Sequence, residues 1–355
     1  MDFHTPHISA RHLADGFADR PLLDDDAAID TPVVVVDLDL DGHDDPGVLA
    51  AAAERARAAD RYLVGLRRGP IPATAPQLPL IRALDATYTD APDTPERAVV
   101  PVSGAEHAVR DFAARVAANP QASTVLRQVL RAGLDLDVPA AVDVESLAYS
   151  TLLGGPEFAR WLGRRGARPL PPPPATDPVL VSRAGTELHV TLNRPERRNA
   201  YGTRLRDALT AALSIAVTDA SVMRVVLDGA GPAFCAGGDL DEFGTTPDIA
   251  LAHLVRTRGG AGLLVHELAD RIEARVHGAC VGGGIEIPAF AGRVLAAEDA
   301  WFRLPEVEMG LIPGAGGTAS VPRRIGRWRA MHLFVTGTRI DARTALDWGL
   351  VDALC

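Results

Sequence analysis

The sequence predicts an α/β protein in two parts. Three observations carry this reading: short apolar runs of strand length alternate with segments of helical period, glycines recur where strands run into helices, and four consecutive prolines separate two stretches of different character.

Taken in order, TPVVVVDLDL reads as a buried strand, and DPGVLAAAAERARAA as a helix started by Pro46. RYLVGLRRG is a second short strand. AEHAVRDFAARVA, STVLRQVLRAG and ESLAYSTLL…PEFARWLGRR all have helical period, so residues 1–163 form a smaller α/β domain with helices. Residues 164–177 hold the proline run and form a stiff extended connector, because proline suits neither a helix interior nor a central strand. Beyond it, ELHVTLNRP, MRVVLDGAG, RIEARVHG and RVLAAEDAWFRL read as strands, with TRLRDALTAALSIAVTD as an intervening helix. Short strands alternating with helices imply parallel pairing through right-handed crossovers.

Composition narrows the function. The chain has 355 residues, 47% of them apolar, and a net charge of −10, which argues against nucleic acid or an anionic membrane as partner. All 36 basic residues are arginine, so Schiff-base chemistry and a phosphate-loop lysine are excluded. Cys235, Cys280 and Cys355 form no CxxC pair and read as free thiols in a reducing cytoplasm, the first two as small core fillers. The N-terminus has no apolar core for a signal peptide, and no run reaches membrane-spanning length. His4, His7 and His12 read as part of a mobile terminal segment rather than a metal site.

Three stretches of the second half carry chemistry: FCAGGDLDEF at 234–243, HGACVGGGIEI at 277–287 and FRLPEVEMGLIPGAGGT at 302–318. The first two place a glycine-rich turn after a strand and at a helix start, where first-turn amides lack intrahelical partners. Two such turns can aim two N–H groups at one oxygen and stabilise an enolate, and each donor of that kind is worth roughly 3 kcal/mol of transition-state energy. Glycines without Cβ let a flat thioester lie against the backbone. Of the polar neighbours, Asp239 reads as a helix cap, Glu308 as a surface ion-pairing group and His277 as a buried structural imidazole.

LNRPERRNA, FCAGGDL, HGACVGGGIEIPAF, FRLPEVEMGLIPGAGGT and TGTRIDARTALDWGLVD occur in that order, and residues 178–355 resemble the crotonase (enoyl-CoA hydratase/isomerase) superfamily. The resemblance implies a ββα spiral core and an oxyanion hole from the amides of Gly238 and Gly283. It also implies a coenzyme A cradle around Arg197, Arg198, Ala200, Ala236, Asp239, Leu240 and Asp241. Glu286 and Glu306 match the two glutamates that flank the double bond in hydratases, Glu286 activating water and Glu306 passing a proton to the α-carbon. Hydration needs both carboxyls, whereas double-bond isomerisation needs one. The expected activity is therefore a hydro-lyase acting on an enoyl-CoA. It would need no metal or redox cofactor, with coenzyme A present only as part of the substrate, and would assemble as a homo-oligomer, a trimer or hexamer. Other reactions of the superfamily (isomerase, thioesterase, cofactor-independent dioxygenase) and a non-catalytic acyl-CoA-binding scaffold are the alternatives.

Two features depart from the family pattern. The chain stops at Cys355, soon after the GLVD motif, where the family continues with helices that cover the acyl site. Some 175 residues precede the first family strand, an extension reminiscent of the dihydroxyphenylacetyl-CoA dioxygenase branch, although that branch carries glutamine where this chain has Glu286. VVVVDLDLDG loosely echoes RVVLDGAG, so the first half is also read as a candidate degenerate copy of the second. The extension is expected to help close the acyl pocket.

Overall fold

The computed structural model describes residues 5–40, 45–92, 94–133, 135–173 and 175–355; His4 and Pro174 of the proline run lie outside them. The chain divides into two compact units, Met1–Gln128 with Gly326–Thr336, and Val129–Ile325 with Gly337–Cys355. This division falls well before the proline run. The helices Val138–Leu153 and Pro156–Arg165 pack into the second unit, with Arg256 Nε donating to Ser146 Oγ at 3.0 Å and the Arg165 guanidinium 2.6 Å from the Asp241 carboxylate. Conversely, Gly326–Thr336 folds with the first unit, where Trp328 Nε1 donates to Leu84 O at 3.0 Å and Tyr88 Oη lies 2.8 Å from His332 Nδ1. A stiff connector marks where the chain is extended, which need not be where packing changes sides.

The first unit is built on one parallel sheet in sequential order: β1 (His7–Ile8), β2 (Val33–Asp37), β3 (Tyr62–Arg67), β4 (Ala86–Thr89) and β5 (Val99–Pro101). Every residue of β2 is buried, which is why its sequence is an unbroken valine run instead of an alternation. The helix Pro46–Ala58 starts on Asp45, whose carboxylate accepts from Gly47 N and Val48 N, and it buries Leu49, Ala52, Ala53 and Ala56.

The second unit carries two sheets. The larger runs in the order β14-β11-β9-β8-β7-β6, from β6 (Val179–Ala184), β7 (Glu187–Leu192), β8 (Arg224–Gly229), β9 (Ile272–Val276), β11 (Arg293–Ala296) and β14 (Ala353–Leu354). The smaller joins β10 (Ala279–Val281), β12 (Trp301–Arg303) and β13 (Ile340–Asp341). Pairing is parallel except for the β6–β7 hairpin and β12 against β13, so the expected parallel rule fails at two sheet edges. The chain twice lays one strand in the large sheet and the next in the small one, then enters a helical turn: β9, β10 and Gly283–Glu286, followed by β11, β12 and Glu306–Met309. That is the ββα pass of a crotonase-like core. Because β10 and β12 pair in parallel, with Val281 opposite Arg303, the residues just beyond both strands emerge at the same end of the sheet.

In the first unit Asp85 is fully buried and accepts from Leu63 N and Arg127 Nε, both at 2.9 Å, while Arg127 Nη2 donates to Ala59 O at 2.8 Å. Removing Arg127 takes away the nearer of two cations beside a carboxylate sealed from water, the other being Arg327 at 3.9 Å. Arg127→Met should therefore lower the unfolding free energy by about 1.5 to 3 kcal/mol in urea titrations, the cost of a lost charged hydrogen bond.

Candidate active site

The two glycine turns meet because backbone pairs with backbone. Cys235 N donates to Ala279 O at 3.2 Å and Val281 N donates to Cys235 O at 3.0 Å, so residues 235–237 run alongside β10. A Cβ on Gly284 would stand 2.3 Å from Cys235 O, a contact no side chain tolerates. Gly282 has φ 48°, in the region that favours glycine, and a Cβ there would sit 2.6 Å from Glu306 Oε1. Gly283 is different. A Cβ on it would stand 3.7 Å from Ala315 and Tyr201, an ordinary contact, and this residue lines the cavity. The three glycines thus serve three purposes, and only the middle one keeps room for a ligand.

That cavity has a volume of about 480 Å3, and Gly238, Gly283, Glu286 and Glu306 all line it. Among the described residues, neither Gly238 N–H nor Gly283 N–H has a hydrogen-bond partner. Both are free to donate. The helical segments that follow are single turns, Leu240–Glu242 and Gly283–Glu286, so the donors act as individual unpaired amides, without the macrodipole of a long helix.

Glu286 is 2% exposed. Its Oε2 accepts from Ala315 N at 2.7 Å and Gly317 N at 3.0 Å. Burial raises its pKa to about 7, against the lowering effect of the loop amides. Glu306 has no such support. Its Oε2 is buried without a hydrogen-bond partner, and burial followed by the charge of Glu286 pushes its pKa well above the usual carboxylate range. A point built as Cβ on Gly282 lies 2.6 Å from Glu306 Oε1 and 3.6 Å from Glu286 Oε1, so both carboxyls address the same spot. Both carboxyls are raised above the usual carboxylate range, Glu286 against the pull of the loop amides and Glu306 with its Oε2 unpartnered and the charge of Glu286 beside it.

Of the residues expected to cradle coenzyme A, only Asp239 lines this cavity. Asp239 accepts from Asp241 N at 3.2 Å, as a cap, and from Arg197. Arg197 is committed to that carboxylate and to Asp241, and the two ion pairs raise its pKa further. Arg198, with φ 51°, is exposed and has no ion-pair partner among the described residues; its carbonyl accepts from Ala236 N at 2.9 Å. Ala200 is buried, and Leu240 and Asp241 sit half-buried on the turn beyond Asp239. Glu308 pairs with Arg303 at 2.9 Å, and Cys235 and Cys280 are buried. His277 is half-exposed and bonded to Gly231 O at 2.9 Å, in contrast to the buried imidazole that the sequence suggests. It ends a strand and sits at a corner instead of inside the sheet.

Several residues of the site escaped sequence reasoning. Tyr149, Leu153 and Phe158 line the cavity from the helices Val138–Leu153 and Pro156–Arg165, ahead of the proline run. Glu145, on the first of these helices, is 1% exposed and its pKa is raised to about 8 by burial and by Glu286. The available signal was a lone acid between Ala141, Val142 and Tyr149 on the apolar face of a helix. Asn199 is fully buried. It accepts from Arg194 N and donates to Ala230 O and Ala233 O, and so ties the LNRPERRNA loop to the end of β8. Among the described residues no group of acids, histidines and cysteines is arranged to hold a metal, and no helix is long and apolar enough to cross a membrane.

Comparison with known proteins converges on the second half. Residues 184–355 match the family described as enoyl-CoA hydratase/isomerase. The chain is 36% identical over 169 residues to a probable enoyl-CoA hydratase of Bacillus subtilis strain 168, covering 46% of this chain and 63% of that protein. It is 37% identical over 173 residues to the 2,3-dehydroadipyl-CoA hydratase of Escherichia coli K12, covering 49% and 67%. The crystal structure of an enoyl-CoA hydratase from Bacillus anthracis matches 50% of this chain and 70% of its own, at 33% identity and a TM-score of 0.46. The chain therefore spans about two thirds of the length of these relatives, which match about half of it, and the family match begins at residue 184.

The state of Glu306 has a consequence for stability. A carboxyl whose pKa is raised on folding holds its proton in the folded chain after the unfolded chain has released it. Its contribution is intact below the unfolded value near 4.3 and declines by about 1.4 kcal/mol per pH unit from there toward the folded value. Urea unfolding of Glu306→Gln should show a shallower loss of stability between pH 5 and pH 8 than the parent protein. Equal slopes would mean that Glu306 is not held protonated.

Proposed function

The chain belongs to the enoyl-CoA hydratase/isomerase family, and we propose that it adds water across the α,β double bond of an enoyl-CoA thioester. One observation carries this reading: two carboxyls, one held by loop amides and one with an unpartnered buried Oε2, address the same point, and both line one cavity with two unpaired amides. The amides of Gly238 and Gly283 hold the thioester oxygen. Glu286 takes a proton from a water molecule, whose oxygen bonds to the β-carbon. The π electrons move onto the thioester oxygen as an enolate, and Glu306 delivers its proton to the α-carbon as the carbonyl reforms. The product gains one water, and the proton left on Glu286 returns to Glu306 through solvent in the cavity.

The exposed guanidinium of Arg198 is the cation available to coenzyme A phosphates. Arg197, bound to two carboxylates, braces the turn that carries Gly238. Tyr149, Leu153 and Phe158 give the acyl end of the cavity an apolar wall, which supports the expectation that sequence ahead of the proline run helps enclose the substrate. The same reading carries the homo-oligomer, trimer or hexamer, and the cytoplasmic setting that three free cysteines suit.

With crotonyl-CoA as probe, loss of the conjugated thioester absorbance should follow enzyme addition. Glu306→Gln should reduce turnover by roughly 10²- to 10⁴-fold while acyl-CoA binding changes little, since the oxyanion donors are backbone. Glu286→Gln should cripple hydration as well. If hydration survives Glu286→Gln but not Glu306→Gln, a single base suffices and the double-bond isomerase reading replaces this one. Turnover should also fall on the acid side as Glu286 gains its proton near pH 7, and again at high pH as Glu306 loses its own.

A further inference from the structure

The loop that holds Glu286 is itself held, by a residue outside the family-matched segment. The four successive amides of residues 315–318 alternate between two carboxylates. Ala315 N and Gly317 N donate to Glu286 Oε2, at 2.7 and 3.0 Å. Gly316 N donates to Glu145 Oε1 and Thr318 N to Glu145 Oε2, both at 2.7 Å, and Thr318 Oγ1 donates to the same Oε2 at 2.7 Å. Side-chain capping of this kind satisfies the first amides of the helix Gly317–Ile325. The helix of Glu145 touches the loop a second time, one turn further on. A Cβ on Gly314 would stand 2.5 Å from Tyr149 Cε2, so ring and loop backbone are in direct contact. Arg323, on the helix that the loop opens, donates through Nη2 to Leu136 O at 2.6 Å, just ahead of the helix of Glu145.

We infer that Glu145 is a positioning residue for Glu286: by taking the Gly316 and Thr318 amides it turns the Ala315 and Gly317 amides toward Glu286 Oε2, which leaves Glu286 Oε1 directed at the cavity. Glu145 does not line that cavity, so it acts through the loop and not on the substrate. Burying a third carboxylate behind two others carries an electrostatic cost, raised further by the charge of Glu286. Three donated hydrogen bonds offset it. An apolar residue at this position would avoid the repulsion but leave two loop amides without acceptors.

The inference rests on the assignment of Glu286 as the water-activating base, and the test separates the two. In the full-length protein, Glu145→Gln keeps the shape but sets an NH2 group against an N–H donor, so one of the loop contacts is lost. Hydrogen exchange of the amides of residues 314–320 should then accelerate by about tenfold or more, while peptides from the first unit exchange as before. With crotonyl-CoA, kcat should fall by roughly 10- to 100-fold with KM within about threefold of the parent. Thr318→Val, which removes one donor and keeps both amides, should show the same pattern with smaller amplitude, and it serves as the test if Glu145→Gln does not fold. Unchanged exchange in the loop overturns the inference, whether or not the protein hydrates crotonyl-CoA. So does a rise in KM at constant kcat, which would mark a substrate contact, or a fall in kcat accompanied by faster exchange throughout the chain, which would mark general destabilisation. Accelerated loop exchange in a protein that never hydrates an enoyl-CoA would uphold the clamp and sink the hydratase reading instead.

Discussion

The candidate site depends on how closely two backbones approach. The segment through Cys235 and the strand through Cys280 exchange hydrogen bonds, and the carbonyl of Cys235 occupies the space a side chain on Gly284 would need. That contact brings Gly238 and Gly283 to the same cavity with their amides unspent. Parallel pairing of the next strand, Trp301–Arg303, adds Glu306 at the same end. Any side chain that forced these strands apart would separate donors from carboxyls and remove the geometry in one step.

Into this tight frame the protein places two buried carboxyl groups, Glu145 and Glu286, and a half-buried third, Glu306, an arrangement that burial and mutual repulsion both oppose. They are not equivalent. Glu286 and Glu145 are each surrounded by donated amides, which favour the ionised form, and their pKa values are raised to about 7 and about 8. Glu306 receives no such donation at Oε2, and burial and the charge of Glu286 push its pKa well above the usual carboxylate range. Which carboxyl is held by amides follows from which one the Gly314–Thr318 loop reaches, a matter of backbone placement more than of residue type. Such a group of interacting acids titrates as a set, so the shape of any pH profile belongs to the group and not to one member.

The two units do not follow the order of the chain. The helices that carry Glu145, Tyr149 and Phe158 precede the proline run, yet they belong with the second unit, while the late segment Gly326–Thr336 belongs with the first. A cavity lined by residues of the family-matched segment is thus completed by chain that the family match does not include. Tyr149, Leu153 and Phe158 give it an apolar wall from helices that precede that segment.

The sequence by itself determined the chemistry-bearing positions of the second half. The glycine turns at 237–238 and 282–284 were legible as places where side chains are excluded, although it is backbone conformation and the Cys235 carbonyl that require Gly282 and Gly284. Glu286, Glu306 and the ββα order were legible through the resemblance of those stretches to a known family, while the apolar runs alone gave only strands alternating with helices. Tertiary structure alone decided that Glu145 braces the loop beside Glu286, that Arg197 is bound to Asp239 and Asp241 instead of standing free, and that of the triplet Gly283 lines the cavity. These facts concern partners distant in sequence. Periodicity and spacing report how a segment folds on itself, whereas the hydrogen bonds that orient a carboxylate come from whichever strand or loop the fold brings across to it.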